Sequence, residues 1–378
     1  MSTINRSPKK TNARDQKAGR NGRAYARQKE VIFRAQAEDE PTGDTFAVYR
    51  FAKPCGRRGT IHLPLEEAIN PRLLCAQLIS KNWIGALDSD ARARLAEMAP
   101  DMRPREHWLC STSLGWRPDN QAFVLQNQVL GKRKKELKIK PPLWMKQKAQ
   151  FKTGRAGDLQ GWIDGVARPC QRSTRLMTAL SAAFAAPLLK PLGLASFGIN
   201  LHGRSKSGKS TALLAVGSVI GIGEESQLPN FNATDASLFE LGRLCNDGPM
   251  PLNEAGLIDG QKRDAYSTYQ RLIYGLSEGK DRVRHSASTY ATDASATGFR
   301  IIYLANSEHP ISVFAQRAGR VRDHGEYARC WDVPAVSEGC KTVFDLGSNG
   351  NPRKFRPGER GSVSATFGTQ FSGIMVGR

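Results

Sequence analysis

The chain has 378 residues, too many for one small domain and enough for about two; its 39% apolar and 8% aromatic residues suffice for a packed interior. No apolar run approaches the roughly 18–20 residues of a membrane span, and the start, Met1-Ser2-Thr3-Ile4-Asn5-Arg6, lacks a secretory signal's apolar segment, so a cytoplasmic protein without membrane contact is expected. The net charge is +21 and is unevenly placed. Residues 1–34 hold ten Lys/Arg against Asp15 and Glu30, and residues 131–152 hold nine against Glu136. Such concentration points to a polyanionic partner, with DNA the expected one, rather than to general solubility. A solvated tail and a solvated loop are the bland alternative. Acidic lipid is a weaker contender, because Pro141-Pro142 interrupts any long interfacial helix around Leu143-Trp144-Met145. The seven cysteines are scattered singly, without zinc spacing, and read as structural thiols.

In chain order, residues 1–44 read as a disordered basic arm that turns acidic through Glu38-Asp39-Glu40 and Asp44. Residues 45–150 read as a small α+β domain carrying the basic loop 131–152. Its strands are expected at Phe46–Phe51, Thr60–Leu63, Trp108–Cys110 and Ala122–Leu125. The spacing predicts a helix from Pro71 to about Lys81, capped by Asn70, with Leu73, Leu74, Leu78 and Ile79 as its apolar face. Residues 157–336 read as an α/β nucleotide domain with a mainly parallel sheet. An Ala- and Leu-rich helix over 173–190, with Pro187 near its end, leads into strands Phe197–His202, Pro249–Asn253 and Phe299–Ala305. Residues 337–378 read as an irregular Gly-rich tail, possible as the product of truncation.

Gly203-Arg204-Ser205-Lys206-Ser207-Gly208-Lys209-Ser210 is a complete Gly-x-x-x-x-Gly-Lys-Ser phosphate loop between a strand and the helix opening at Thr211. Backbone N–H groups of Gly203, Ser207, Gly208 and Thr211 are expected around the phosphates of ATP. Lys209 would reach the outer phosphates, and the Ser210 hydroxyl would bind Mg²⁺. A Gly/Ser-rich turn before a helix is the bland reading, and the flanking strand and helix argue against it.

Such a loop needs an acidic strand end to hold Mg²⁺ and polarise the attacking water. Some 40 residues on, Gly248-Pro249-Met250-Pro251-Leu252-Asn253-Glu254 resembles a Walker B strand whose usual Asp has become Asn253. Glu254 is the candidate general base, with helix capping as its structural alternative. Asp247 is a second candidate, better read as a turn residue beside Gly248. The third strand ends at Asn306, a residue suited to orient the hydrolytic water. The Gly-hinged run Ser277–His285 is basic and suits DNA or a neighbour's phosphates. Arg317, Arg320, Arg322 and Arg329 are candidates for an arginine finger, with Arg329 preferred.

These segments together resemble the bacterial and prophage ATPases of the family called domain of unknown function 927. The likeness runs through Gly157–Trp162, Ala185–Leu189, Gly203–Ser210, Asn246–Pro249, Gly279-Lys280 and Arg329–Pro334. It implies a RecA/AAA-like P-loop NTPase core similar to ring-forming helicase ATPases, often found beside primase modules in mobile elements. It assigns Lys209 and Ser210 to ATP and Mg²⁺ and Glu254 to the Walker B glutamate. Two departures stand out: Asn253 in place of Asp, and the irregular tail where the family continues into helices. The expected function is a helicase-like, DNA-dependent ATPase motor assembling as a homo-oligomer. The alternatives are a nucleotide-gated DNA-binding protein with slow hydrolysis and, more weakly, a kinase with an arginine lid.

Overall fold

The structure, a computed structural model, describes residues 31–40, 42–83, 90, 93, 96, 106–111, 113–126, 128–132, 137–139, 157–231, 233–253, 265–279 and 298–345. The chain divides into two compact units, residues 1–112 with 135–140, and residues 113–134 with 141–378.

The first unit is built on a five-stranded sheet ordered β3-β2-β1-β4-β8. Its strands are β1 (Val31–Asp39), β2 (Thr45–Ala52), β3 (Arg58–Pro64), β4 (His107–Ser111) and β8 (Leu137–Ile139). β1 pairs antiparallel with β2 and parallel with β4, so it lies at the centre of the sheet. Helix α1 (Pro71–Ser80) starts where Asn70 accepts hydrogen bonds from the N–H groups of Arg72 and Leu73, as the sequence predicts. Leu74 and Leu78 pack with Phe33, Tyr49, Phe51, Ile61, Leu63 and Trp83.

Several expectations change here. The arm expected to be disordered over 1–44 includes β1, whose Phe33, Ala35 and Ala37 are buried while the alternating Arg34, Gln36 and Glu38 are not. Leu73 and Ile79, expected on the apolar face of α1, are exposed, because a turn of 3.6 residues aims only Leu74, Cys75 and Leu78 at the sheet. Residues 113–134, placed by the sequence in an N-terminal domain, belong to the second unit.

There they form an antiparallel sheet of β5 (Gly115–Trp116), β6 (Ala122–Val124) and β7 (Val129–Gly131). It is fastened through Asp247: the Trp116 N–H donates to the Asp247 carboxylate at 2.8 Å, and the Asn246 amide donates to the Leu114 carbonyl at 2.6 Å. The Trp116 indole N–H reaches the Pro187 carbonyl at 2.6 Å, and the Lys190 ammonium reaches the Trp116 carbonyl at 2.6 Å. Burial pushes the Asp247 carboxyl above its usual range, against the opposing pull of the Trp116 N–H, Lys190 and Arg300.

The core of the second unit is a four-stranded sheet ordered β10-β11-β9-β12, parallel throughout. Its strands are β9 (Phe197–His202), β10 (Gly248–Leu252), β11 (Ile301–Ser307) and β12 (Cys330–Pro334). Every residue of β11 is buried, as suits a strand with neighbours on both sides and both faces covered. Close packing dictates one glycine, since a Cβ on Gly198 would fall 2.0 Å from the Tyr303 ring in the next strand.

Around the sheet lie α2 (Thr174–Ala185), α3 (Lys209–Ile220), α4 (Asp235–Leu244), α5 (Ala265–Glu278), α6 (Ile311–Arg317) and α7 (His324–Arg329). Ser173 caps α2 through the Leu176 N–H. α3 buries every residue from Ala212 to Val219, so its apolar signal covers its whole circumference. Among the described residues, no helix is long and apolar enough to cross a membrane.

Candidate functional site

Parallel strands bring their carboxyl ends to one edge of the sheet, and the phosphate loop leaves β9 at that edge. The Gly203 N–H donates to the Ser307 carbonyl at 3.1 Å, and the Ala335 N–H donates to the His202 carbonyl at 2.8 Å, tying the loop's start to both neighbouring strands. Lys206 and Gly208 both take positive φ, +63° and +102°, which turns the chain sharply into α3. No side chain caps α3, so its first N–H groups and the positive end of its dipole remain for an oxyanion.

Lys209 opens the helix and folds back over the loop, its ammonium donating to the carbonyls of Gly203 at 2.6 Å and Arg204 at 2.9 Å. Burial lowers its affinity for a proton, and the Glu308 carboxylate partly offsets this. Ser210 and Thr211 follow in the first turn, half-buried. The Ser207 hydroxyl is buried without a hydrogen-bond partner among the described residues. An orphan hydroxyl, an uncapped helix and a lysine held by weak carbonyl acceptors fit a polyphosphate with its magnesium ion.

Asn253 follows β10 and Asn306 lies near the end of β11. The two side chains meet directly, the Asn306 amide donating to the Asn253 side-chain carbonyl at 2.8 Å in a buried contact. The Asn253 backbone is held on its other side by Asn230, in a parallel bridge, with its N–H on the Pro229 carbonyl at 2.7 Å. Glu254, the expected general base, lies outside the described residues, as do the basic run from Lys280 to His285 and most of the basic segments 1–34 and 131–152.

The arginines separate into different environments. Arg322 is fully buried: it pairs with Asp332 at 2.7 Å, faces Glu326 at 3.7 Å and donates to the Cys330 carbonyl. Glu326 in turn accepts from Tyr266 at 2.8 Å and Gln270 at 2.7 Å. Asp332 also accepts from the Asn200 amide on β9 and from the Ile311 N–H at the start of α6. Arg322 therefore ties β12, β9 and α5 together within the fold. Arg329 stacks on the Tyr274 ring at 4.6 Å and donates to the Gly325 carbonyl. It immediately precedes Cys330, which pairs with Gly198 at the amino end of β9, five residues or about 16 Å along the strand from the loop of the same chain. Arg317 and Arg320 are exposed at the end of α6 and just beyond it, and Arg320 donates to the Ser267 hydroxyl at 2.8 Å. Asp247 immediately precedes β10 at the end remote from Asn253, where its carboxylate holds β5 through the Trp116 N–H.

Sequence reasoning did not find Val343. Its N–H donates to the Ser207 carbonyl at 2.8 Å and its side chain lies over Gly208, a contact through backbone that residue type does not advertise.

A family model described as Domain of unknown function (DUF927) matches residues 12–293. A solved structure, "SCCmec type IV Cch - active helicase", is similar with a TM-score of 0.57 and 16% identity, over 91% of this chain and 59% of that one. This is a likeness of fold, an α/β architecture with a parallel sheet, and the present chain spans less than two thirds of that protein's length. No curated protein matches.

Proposed function

The chain belongs to the family described as Domain of unknown function (DUF927), and from that premise we propose that it is an ATP-binding and ATP-hydrolysing P-loop NTPase. In this reading it works as a helicase-like motor on DNA during replication of a phage, plasmid or integrated element. The observation that carries the proposal is one juxtaposition: the uncapped start of α3 with Lys209 and Ser210, at the same sheet edge as the Asn253–Asn306 pair. The likeness in fold to a helicase and the concentrated basic charge support the choice of DNA as partner.

When bound, Mg²⁺ would neutralise charge on the phosphoryl oxygens. The chain's own groups would do the rest. Lys209 would exchange its two loop carbonyls for outer-phosphate oxygens, gaining charge-assisted bonds in a partly buried setting. The N–H groups at the start of α3 would hold the inner phosphates, and the Ser210 hydroxyl would be a metal ligand. Asn253 and Asn306 would orient water by hydrogen bonding without adding charge, and Glu254 would take the proton from the attacking water.

Finger chemistry, where it occurs, would come between copies in a homo-oligomer such as a ring, since Arg329 adjoins Cys330, whose β9 partner Gly198 is about 16 Å from the chain's own loop. A primase partner is a further proposal that follows from the family resemblance. The deciding experiment is ATP hydrolysis with and without single-stranded DNA, for the natural chain and Lys209→Ala. Stimulation by DNA that Lys209→Ala abolishes is expected; hydrolysis indifferent to both overturns the motor.

A second reading has its own support. The amide pair Asn253–Asn306 is neutral where an acidic strand end would attract the metal, which favours slow hydrolysis with ATP acting as a switch of DNA affinity. Single-turnover hydrolysis unchanged by DNA, together with nucleotide-dependent DNA binding, would select it.

A further inference from the structure

β12 ends at Pro334. Ala335–Asp345 runs back over the phosphate loop as an irregular strap, with Val343 and Phe344 buried. It is fastened at both ends. At one, the Ala335 N–H donates to the His202 carbonyl, and the Arg175 guanidinium donates to the Pro334 carbonyl at 2.9 Å. At the other, Asp345 accepts from the Thr174 N–H at 2.8 Å and from the hydroxyls of Thr174 and Ser337 at 2.5 Å each, while Ser173 donates to the Val343 carbonyl.

Between these anchors Val343 makes two contacts with the loop. Its N–H donates to the Ser207 carbonyl at 2.8 Å. Its side chain also lies so close that a Cβ on Gly208 would fall 2.5 Å from Val343 Cγ1.

The consequence follows from peptide geometry. In a trans peptide the carbonyl and the following N–H lie in one plane and point in opposite directions. Holding the Ser207 carbonyl on Val343 therefore turns the Gly208 N–H away from Val343. We propose that the strap, through the Val343 N–H, positions the phosphate-binding face of the loop, so that strap docking and nucleotide binding stabilise one another. The proposal rests on the nucleotide reading of the loop and adds a part outside the motif itself. By linkage, the factor by which the docked strap tightens nucleotide binding equals the factor by which nucleotide tightens the strap.

The test uses the full chain, a fluorescent ATP analogue and ADP. Val343→Pro removes the N–H donor, Val343→Ala keeps it, and Asp345→Asn weakens the far anchor without touching the loop. Val343→Pro is expected to weaken analogue binding about tenfold, the scale of one net hydrogen bond, and Val343→Ala to retain most of the affinity. Asp345→Asn is expected to weaken binding in the same direction while remaining folded by circular dichroism. Saturating ADP should slow hydrogen exchange of the Val343 amide in the natural chain more than that of core amides such as Ile302, a difference that global stabilisation alone would not give. Affinities within twofold of the natural chain for Val343→Pro and Asp345→Asn, with Val343 exchange indifferent to ADP, overturn the proposal and leave nucleotide binding intact. Absence of analogue binding by the natural chain overturns the nucleotide reading and the strap's role with it.

Discussion

The Asn306 side chain hands a hydrogen bond to that of Asn253 across two adjacent strand ends, at 2.8 Å and out of solvent. Two amides satisfy one another there without any net charge. A carboxylate in place of Asn253 would keep the acceptor and add a charge that only a cation could offset.

Asn253→Asp is therefore expected to lower the Mg²⁺ concentration required for hydrolysis and to raise turnover by about tenfold or more, the lower end of what an added charged metal ligand supplies. The same variant without Mg²⁺ should be less stable, by about 1–3 kcal/mol, because a buried carboxylate with one donor is under-satisfied. Magnesium titrations of ATPase rate, paired with thermal melts with and without the ion, check both halves. Equal metal dependence in the two proteins would remove Asn253 from the metal's surroundings.

Lys209→Ala should separate binding from folding. Among the described residues the ammonium bonds the loop's own Gly203 and Arg204 carbonyls, so its loss should change stability by less than about 1 kcal/mol while removing nucleotide-dependent turnover. Gly208→Ala should do more damage, since Gly208 has φ of +102° and a Cβ would meet Val343. Melting temperature and analogue binding, measured side by side, distinguish the two variants.

The buried and half-exposed arginines should fail in different ways. Arg322→Ala leaves Asp332 and Glu326 without their cation, and is expected to destabilise the fold by about 3–5 kcal/mol. Arg329→Ala removes a stacking contact with Tyr274 and one backbone bond, worth about 1 kcal/mol. If Arg329 works on a neighbour's phosphates, its variant should bind the ATP analogue normally yet hydrolyse slowly, and mixing it with the natural chain should depress turnover disproportionately. Denaturant melts and mixing experiments read these outcomes.

The legibility of the sequence follows from what each contact uses. Strand β9, the loop and α3 are legible because a phosphate cradle needs particular residue types at fixed spacing. The two strand ends carrying Asn253 and Asn306 are legible as apolar runs that stop at a polar residue, although their mutual bond is not. β1 is hidden because its inward positions include small Ala35 and Ala37 while Arg34 and Glu38 occupy the outward ones, so its mean hydropathy resembles that of an arm. Arg322 cannot be told from surface arginines, since its partners Asp332 and Glu326 lie in other elements, β12 and α7. The strap is invisible for a different reason: Val343 acts through its N–H, which every residue but proline possesses.

Asp345 makes the strap's far anchor sensitive to acid. Burial by itself would push its carboxyl up, but hydrogen bonds from the Ser337 hydroxyl, the Thr174 hydroxyl and the Thr174 N–H together outweigh it and hold the group below its ordinary 3.8. A folded value below the unfolded one means that the group's contribution is fully present above the ordinary carboxylate range and is lost as pH falls through the depressed folded value. Asp247 runs the other way: with its folded value raised by burial, its ionisation costs stability progressively as pH rises from 3.8 through that higher value. Asp345→Asn should therefore flatten the stability profile below about pH 4 while leaving it parallel to the natural chain at neutral pH; Asp247→Asn should act on the limb above 3.8 instead. Denaturant midpoints taken from pH 3 to 7 on the three proteins would resolve the two limbs. Coincident profiles for the natural chain and Asp345→Asn would mean that the carboxylate's three donors do not hold the strap.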